Sequence, residues 1–105
     1  MDSNIQLILI SEVVTVGEIG EETIQQVRSA PIWGRKYPIT RTEWETAGER
    51  DIKAEFRVDV YGFEYGGQRV CEIDSAKYGI YRTYSRPDSD IVELYLEEKG
   101  GVSRD

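Results

Sequence analysis

The chain has no histidine and only one cysteine, Cys71. Without histidine it lacks the side chain that most often serves as a general base or transition-metal ligand near neutral pH. One cysteine permits neither an internal disulfide nor a cysteine-only metal cluster. In a strand-like setting Cys71 reads as a small buried hydrophobe. Basic residues are also in the minority, 13 against 20 acidic ones, for a net charge of −7. A sequence-specific nucleic-acid binder needs a basic footprint to displace counterions, so that class is disfavoured. No apolar run approaches the roughly 20 residues of a membrane span. Ile5 to Ile10 is too short for a signal peptide and has no basic flank, so the expectation is a protein kept in a cytoplasm-like compartment.

The charge is unevenly spread. Residues 1–30 carry a balance of −4, residues 31–57 carry +1, and residues 58–105 carry −4. Paired carboxylates suited to acid–base work do not emerge from this surplus of acids. Glu43 and Glu45 fall on different faces of a helix, and Glu97 and Glu98 point to opposite sides of a strand, so neither pair flanks one bond. Asp88 and Asp90 lack the ligand-dense spacing of a calcium loop. Gly62 to Gly67 (GFEYGG) has no GK[ST] ending and no helix after it, so it is not a phosphate loop. No enzymatic activity, cofactor or metal site is expected.

What the sequence does have is period-two patterning and aromatic residues, including seven tyrosines and two tryptophans. The strongest pattern runs from Lys77 to Lys99. Tyr78, Ile80, Arg82 and Tyr84 alternate against Gly79, Tyr81, Thr83 and Ser85, and Val92, Leu94 and Leu96 against Glu93, Tyr95 and Glu97. Such alternation predicts two half-buried antiparallel strands, and Pro87-Asp88-Ser89-Asp90 supplies the turn between them. Asn4 to Ser11 reads as a strand apolar on both faces. Val13 to Thr23, rich in glycine and glutamate, reads as an exposed loop or ragged hairpin. Arg28 to Ile39 is a strand with Trp33, Tyr37 and Ile39 in register. Its prolines, Pro31 and Pro38, lack amide donors and place it at an edge or interrupt it.

Thr40-Arg41-Thr42-Glu43 fits a capping box. It opens about two turns of helix with Trp44 and Ala47 or Gly48 on the apolar face and Gly48 as the stop. Ala54 to Tyr61 is a strand with Phe56, Val58 and Val60 inward. Tyr65-Gly66-Gly67-Gln68 reads as a tight hairpin turn leading to a return strand over Arg69 to Ile73. The whole predicts a mainly β protein, a small six-stranded antiparallel barrel or compact sandwich with one short helix, and a single domain over residues 1–105.

These fragments share an order and wording with a known group. Ile5 to Ile8 (IQLI), Glu18-Ile19-Gly20, Ile32-Trp33, Thr40 to Trp44 (TRTEW) with Ala47-Gly48, Glu55-Phe56, Glu64 to Gly67, Ile80 to Tyr84 (IYRTY), and Glu93-Leu94-Tyr95 with Glu98 to Gly101 run nearly end to end. In these the chain resembles the small head-closure proteins, also called head–tail joining or stopper proteins, of long-tailed bacteriophages and prophages of Gram-positive bacteria. It departs from them at Ala30-Pro31 and Tyr37-Pro38.

The resemblance implies a β-barrel virion protein, assembled in the host cytoplasm, whose copies form a ring at the head–tail interface, commonly of twelve. That ring would seat on a portal or adaptor ring, close the DNA-filled head, and offer tail-end proteins a docking surface. Packaged DNA would pass the acidic channel without sequence-specific contact. The segment matching the channel-side gate of relatives is Thr40 to Lys53, with Thr40, Arg41, Glu43, Trp44, Arg50 and Lys53 as its candidate residues. Trp33, Tyr37, Tyr81, Arg82 and Tyr84 are candidate subunit contacts, with Arg82 expected to pair with an acid of its own or a neighbouring subunit. A tail-terminator or tail-completion subunit, and a ligand- or oligonucleotide-binding barrel, stand as alternatives.

Overall fold

A computed structural model describes residues 3–98. Its elements are β1 (Ser3–Val16), β2 (Glu22–Arg28), β3 (Ile32–Pro38), helix α1 (Arg41–Gly48), β4 (Ala54–Tyr61), β5 (Val70–Ile73), β6 (Ala76–Ser85) and β7 (Ile91–Glu98). The strands form one antiparallel sheet in the order β2-β1-β3-β4-β7-β6-β5, and a further pairing of β5 with β1 closes six of them into a barrel. Of the two architectures the patterning left open, the barrel is the one formed, with β2 as an extra strand. Closure leaves no long open edge around the six strands.

The inward positions follow the alternation in the sequence. Phe56, Val58 and Val60 of β4 and Val92, Leu94 and Leu96 of β7 are buried, together with Leu7, Leu9, Ile32, Cys71 and Ile73. Burial pushes the Cys71 thiol up to about 12, which keeps it protonated and inert.

β1 is longer than expected and is used in three ways along its length. Residues 3–7 pair with β3, residues 8–10 with β5, and residues 10–16 with β2. Of the two readings of Val13 to Thr23, loop or hairpin, the hairpin is the one formed, and β2 is its unanticipated second strand. β2 and β3 are two halves of one antiparallel partner to β1. Ile10 faces Arg28 and Leu7 faces Ile32, so three steps on β1 match four on the partner. The extra residue falls in Ser29-Ala30-Pro31, where a proline without an amide proton interrupts the ladder. The interruption was anticipated, but β3 does not lie at an edge: it pairs with both β1 and β4, and its two prolines sit just before it and at its last residue.

Two other expectations change. Gly66-Gly67 is not a tight hairpin turn, because β4 pairs with β3 and β7 while β5 pairs with β6 and β1. The connection from β4 to β5 crosses between non-adjacent strands, through a 3-10 turn at Gly62–Glu64 and a loop in which the Tyr65 hydroxyl donates to the Gln68 carbonyl at 2.7 Å. The tight turn lies instead at Asp74-Ser75, both with positive φ (51° and 70°), between the paired Ile73 and Ala76. That is the backbone of a two-residue primed turn.

The β6–β7 hairpin forms as expected, and its turn is closed by the Arg86 amide donating to the Ile91 carbonyl at 3.0 Å. Its alternation does not run unbroken. The register with β7 shifts between Ile80 and Arg82, so Tyr81 is the extra residue of a bulge. Tyr78 and Ile80 pack against the core. Beyond the bulge Arg82 and Tyr84 face Tyr95 and Glu93, which point away from the core. Lys99, at the end of the expected hairpin, and Gly100-Gly101 of the resembling block lie outside the described residues.

Candidate functional site

The candidate gate residues begin with Thr40, whose Oγ1 accepts the Glu43 amide at 3.1 Å as the helix N-cap. The returning half of the capping box is absent because the Glu43 carboxylate turns to the barrel. It accepts the Tyr81 hydroxyl at 2.7 Å, one Arg82 guanidinium nitrogen at 2.7 Å and a second at 3.4 Å. The Arg82 guanidinium in turn lies 3.9 Å from the Tyr95 ring centroid, a cation–π contact. The sequence kept the helix segment and the β6 aromatics apart as gate and interface. The structure joins them through Glu43, and Arg82 pairs within its own chain.

This latch depends on the bulge. Strict alternation would send Tyr81 and Arg82 to opposite faces of β6, whereas both reach Glu43 here. The Glu43 side chain is only 16% exposed. Burial pushes its carboxyl up, but the hydrogen bonds from Arg82 and Tyr81, with the Arg82 charge, together outweigh burial and hold it below its ordinary value. Burial, reinforced by the hydrogen bond to Glu43, pushes the Tyr81 phenol far up. The latch is therefore charged at neutral pH and fastens an eight-residue helix that would be marginal alone.

The remaining gate candidates face outward. Arg41 pairs along the helix with Glu45 at 3.2 Å, an exposed contact of small energetic weight. Arg50 and Lys53 are exposed and form no ion pair among the described residues. Trp44 does not share a buried face with Ala47. Ala47 is buried, but Trp44 is 59% exposed over a shallow cleft between Ile39, Arg41 and Glu55. An eight-residue helix presents only one narrow face to the barrel, and Glu43 and Ala47, four residues apart, occupy it.

The candidate interface residues separate as well. Tyr81 and Arg82 are engaged in the latch, and Tyr84 is exposed. Trp33, 61% exposed, and Tyr37 line a cleft of about 350 Å³ with Arg35, Tyr61, Arg86 and Ile91. Tyr61 stacks on Phe63 at 5.5 Å between centroids, and Phe63 is 82% exposed. Tyr61 and Phe63 do not stand out in the strand pattern, although an exposed aromatic pair at a strand end is a signal for a contact surface.

Beneath this cleft lies a charged network that was also missed. Asp59 of β4 and Glu93 of β7 are cross-strand partners and both are buried. Two carboxylates placed opposite one another repel unless cations bridge them. Arg57 binds Asp59 at 2.8 Å, while Arg86 binds Glu93 at 2.9 Å and also Asp59. The Tyr95 hydroxyl donates to Glu93 at 2.6 Å. Burial pushes Glu93 up, but the hydrogen bonds from Tyr95 and Arg86 and the nearby guanidinium charges outweigh it and hold the group low. Every buried side-chain polar atom among the described residues has a partner.

The third surface is the β1–β2 hairpin. Beyond Ile10 it pairs with nothing but itself, and every residue of β2 is exposed. Its root is fastened: the Ser29 amide donates to the Leu9 carbonyl at 2.8 Å, and Arg28 forks onto Glu72 at 2.8 and 3.1 Å. Six residues of ribbon at about 3.3 Å each reach about 20 Å, close to the difference between the longest and second dimensions, 52 and 31 Å. Val13, Val14, Val16, Ile19, Ile24 and Val27 are all exposed along it.

No protein-family model matches this chain, and no match to a curated protein is found.

Proposed function

We propose that this chain is a structural ring subunit of a phage connector, closing the DNA-filled head and presenting a docking surface to the tail. In this reading its partners are further copies of itself, a portal or adaptor ring on the head side, and tail-end proteins on the other. The DNA passes through without sequence-specific contact, the protein resides at the head–tail interface of the virion, and its work is done by contacts rather than catalysis. The observation that carries the reading is the placement of large exposed apolar side chains on separate faces of one small barrel. Trp33, Tyr61 and Phe63 form one group, Trp44 a second, and the ribbon with Ile19 at its tip a third. Apolar groups dispersed in this way suit a subunit with several neighbours. The wording shared with the head-closure proteins supplies the identity of those neighbours.

Helix α1 is the segment this reading assigns to the channel side, with Glu43, Tyr81 and Arg82 as the fastening that any inward movement must break. The test is genetic. In the phage or prophage that encodes the chain, particles lacking it should package DNA and then lose it, and free tails should accumulate. Full, tailed particles without the protein would exclude the assignment.

One observation favours a second reading, an oligonucleotide-binding barrel. The Trp33–Tyr61 cleft presents aromatic faces on which bases can stack, although its Arg86 is already held by Asp59 and Glu93. The net charge of −7 opposes it. A salt-sensitive shift on single-stranded DNA would select this reading over the connector. A tail-terminator role, on the other side of the same joint, would be selected by incorporation into purified tails without heads.

A further inference from the structure

We propose that the outer edge of β2 receives an extended, basic and partly apolar segment of another protein as an added strand. The proposal names the chemistry of one partner. It rests on the reading of the chain as a contact protein, not on the connector assignment.

Backbone hydrogen bonding dictates the form of the occupant. The Ser29 amide donates to the Leu9 carbonyl, and the Gly17 amide to the Glu21 carbonyl. Between these two ends the register is unbroken, from Ile10 facing Arg28 to Val16 facing Glu22. Bonded pairs recur at every second position of an antiparallel ladder, so the odd-numbered residues of β2 bond to β1. The amides and carbonyls of Glu22, Ile24, Gln26 and Arg28 point the other way. Among the described residues β2 pairs with β1 alone, and all of it is exposed. Thr23 to Val27 carries neither proline nor charge, two devices that normally blunt an edge. Such an edge is what an incoming strand pairs with.

The ribbon's other edge is less open. β5 takes β1 as far as Ile10, and the loop Gly66 to Arg69 shares a cleft with Ser11 and Glu12.

Charge selects the composition of the occupant. From Ser11 to Val27 the ribbon holds Glu12, Glu18, Glu21 and Glu22 and no cation. All four are exposed, and none pairs with a cation among the described residues. Such an arm repels nucleic acid, an anionic membrane, and a second ribbon bearing the same carboxylates. It attracts a basic segment, and opposite charge steers encounter and fixes register. Cross-strand pairing then sets the positions. An apolar side chain belongs beside Ile24, which faces Val14, and lysine or arginine belongs toward Glu22 and the tip.

The probe is a short peptide of alternating lysine and valine, and the readout is residue-by-residue amide hydrogen exchange. In the protein alone the amides of Ile24 and Gln26 should exchange faster than those of Thr23 and Gln25, which bond to β1. Millimolar peptide should slow Ile24 and Gln26 roughly tenfold or more, with Thr23 and Gln25 changed less. A peptide of alternating glutamate and valine should leave all four unchanged. Gln26→Pro removes an outward amide and spares the β1 ladder, so it should abolish the protection of Ile24 while Gln25 stays slow. Glu21→Gln with Glu22→Gln should weaken peptide binding roughly fivefold. Ile24 and Gln26 unprotected by the basic peptide, or equally protected by the acidic one, would overturn the proposal. Protection that appears without peptide as protein concentration rises would make a second copy the occupant, and would overturn it too. No protection, with DNA lost from particles lacking the chain, sinks this proposal alone. Protection, with full and tailed particles in the chain's absence, sinks the connector assignment alone.

Discussion

Replacing Glu43 with alanine removes three hydrogen bonds at once, one from Tyr81 and two from Arg82, and leaves the Thr40 cap intact because that cap uses the residue 43 amide. Hydrogen bonds to a charged group contribute about 1.5–3 kcal/mol when protected from water, and surface ion pairs less than about 1. Glu43 is mostly covered but Arg82 is 41% exposed, which places the latch at about 2 kcal/mol between those limits. The helix it fastens has eight residues and one buried side chain, Ala47. Its opening should therefore be a local event, separate from unfolding of the barrel. Two kcal/mol is roughly a 30-fold change in that opening equilibrium. Hydrogen exchange read residue by residue should show the amides of Trp44 to Asp51 exchanging roughly 30-fold faster in Glu43→Ala, with the amides of β4 and β7 shifted much less. Thr40→Ala should accelerate the same amides by roughly fivefold, from a cap contribution of about 1 kcal/mol. Helix amides that exchange at the unmodified rate in Glu43→Ala would refute the latch. Equal acceleration of helix and barrel would refute the idea that the helix opens alone.

Other perturbations test the rest of the structure. Glu43 and Glu93 are held below the ordinary carboxylate value, so the unfolded chain binds protons more readily than the folded one. Stability should be fully present above the ordinary value and lost as pH falls below about 4.5 through the lower folded values. Melting temperature against pH should show this slope, with a shallower slope in Glu93→Gln, and a melting temperature that is flat from pH 6 to 3 would contradict it. Gly34→Ala should lower stability by about 2 kcal/mol, roughly 8–16 °C in melting temperature. The added Cβ would lie 2.6 Å from Val58 Cγ1 in the packed core, and an unchanged melting temperature would count against that packing. Asp74→Asn with Ser75→Gly should stabilise by about 1 kcal/mol, since both positions hold positive φ that these residues adopt at less cost. A lower melting temperature would contradict the turn geometry.

The parts of this fold legible in the sequence are those where one strand's own pattern decides. β4 falls at the expected Ala54 and Tyr61, and β7 buries Val92, Leu94 and Leu96 as its alternation requires. β2 was missed because Glu22 to Arg28 is polar with Ile24 and Val27 three apart, and a ribbon that covers no core is under no pressure to alternate. The bulge at Tyr81 was invisible for a different reason. It is set by register against β7, and the uninterrupted IYRTY pattern carries no mark of an extra residue. The Gly66-Gly67 reading failed because turn chemistry shows where a chain can bend, not which strand it meets next. The Glu43–Arg82 and Asp59–Glu93–Arg86 groupings join residues distant in sequence. Single-strand patterns carry no information on such pairings, although acids opposed across β4 and β7 would have demanded cations once those strands were known to be neighbours.

The account turns on whether this barrel joins a ring on a connector. Electron microscopy of the purified protein mixed with a phage portal ring measures this directly. The account predicts an added ring of density coaxial with the portal, formed only in the mixture or at high protein concentration. Portal rings that remain bare at saturating protein would contradict it.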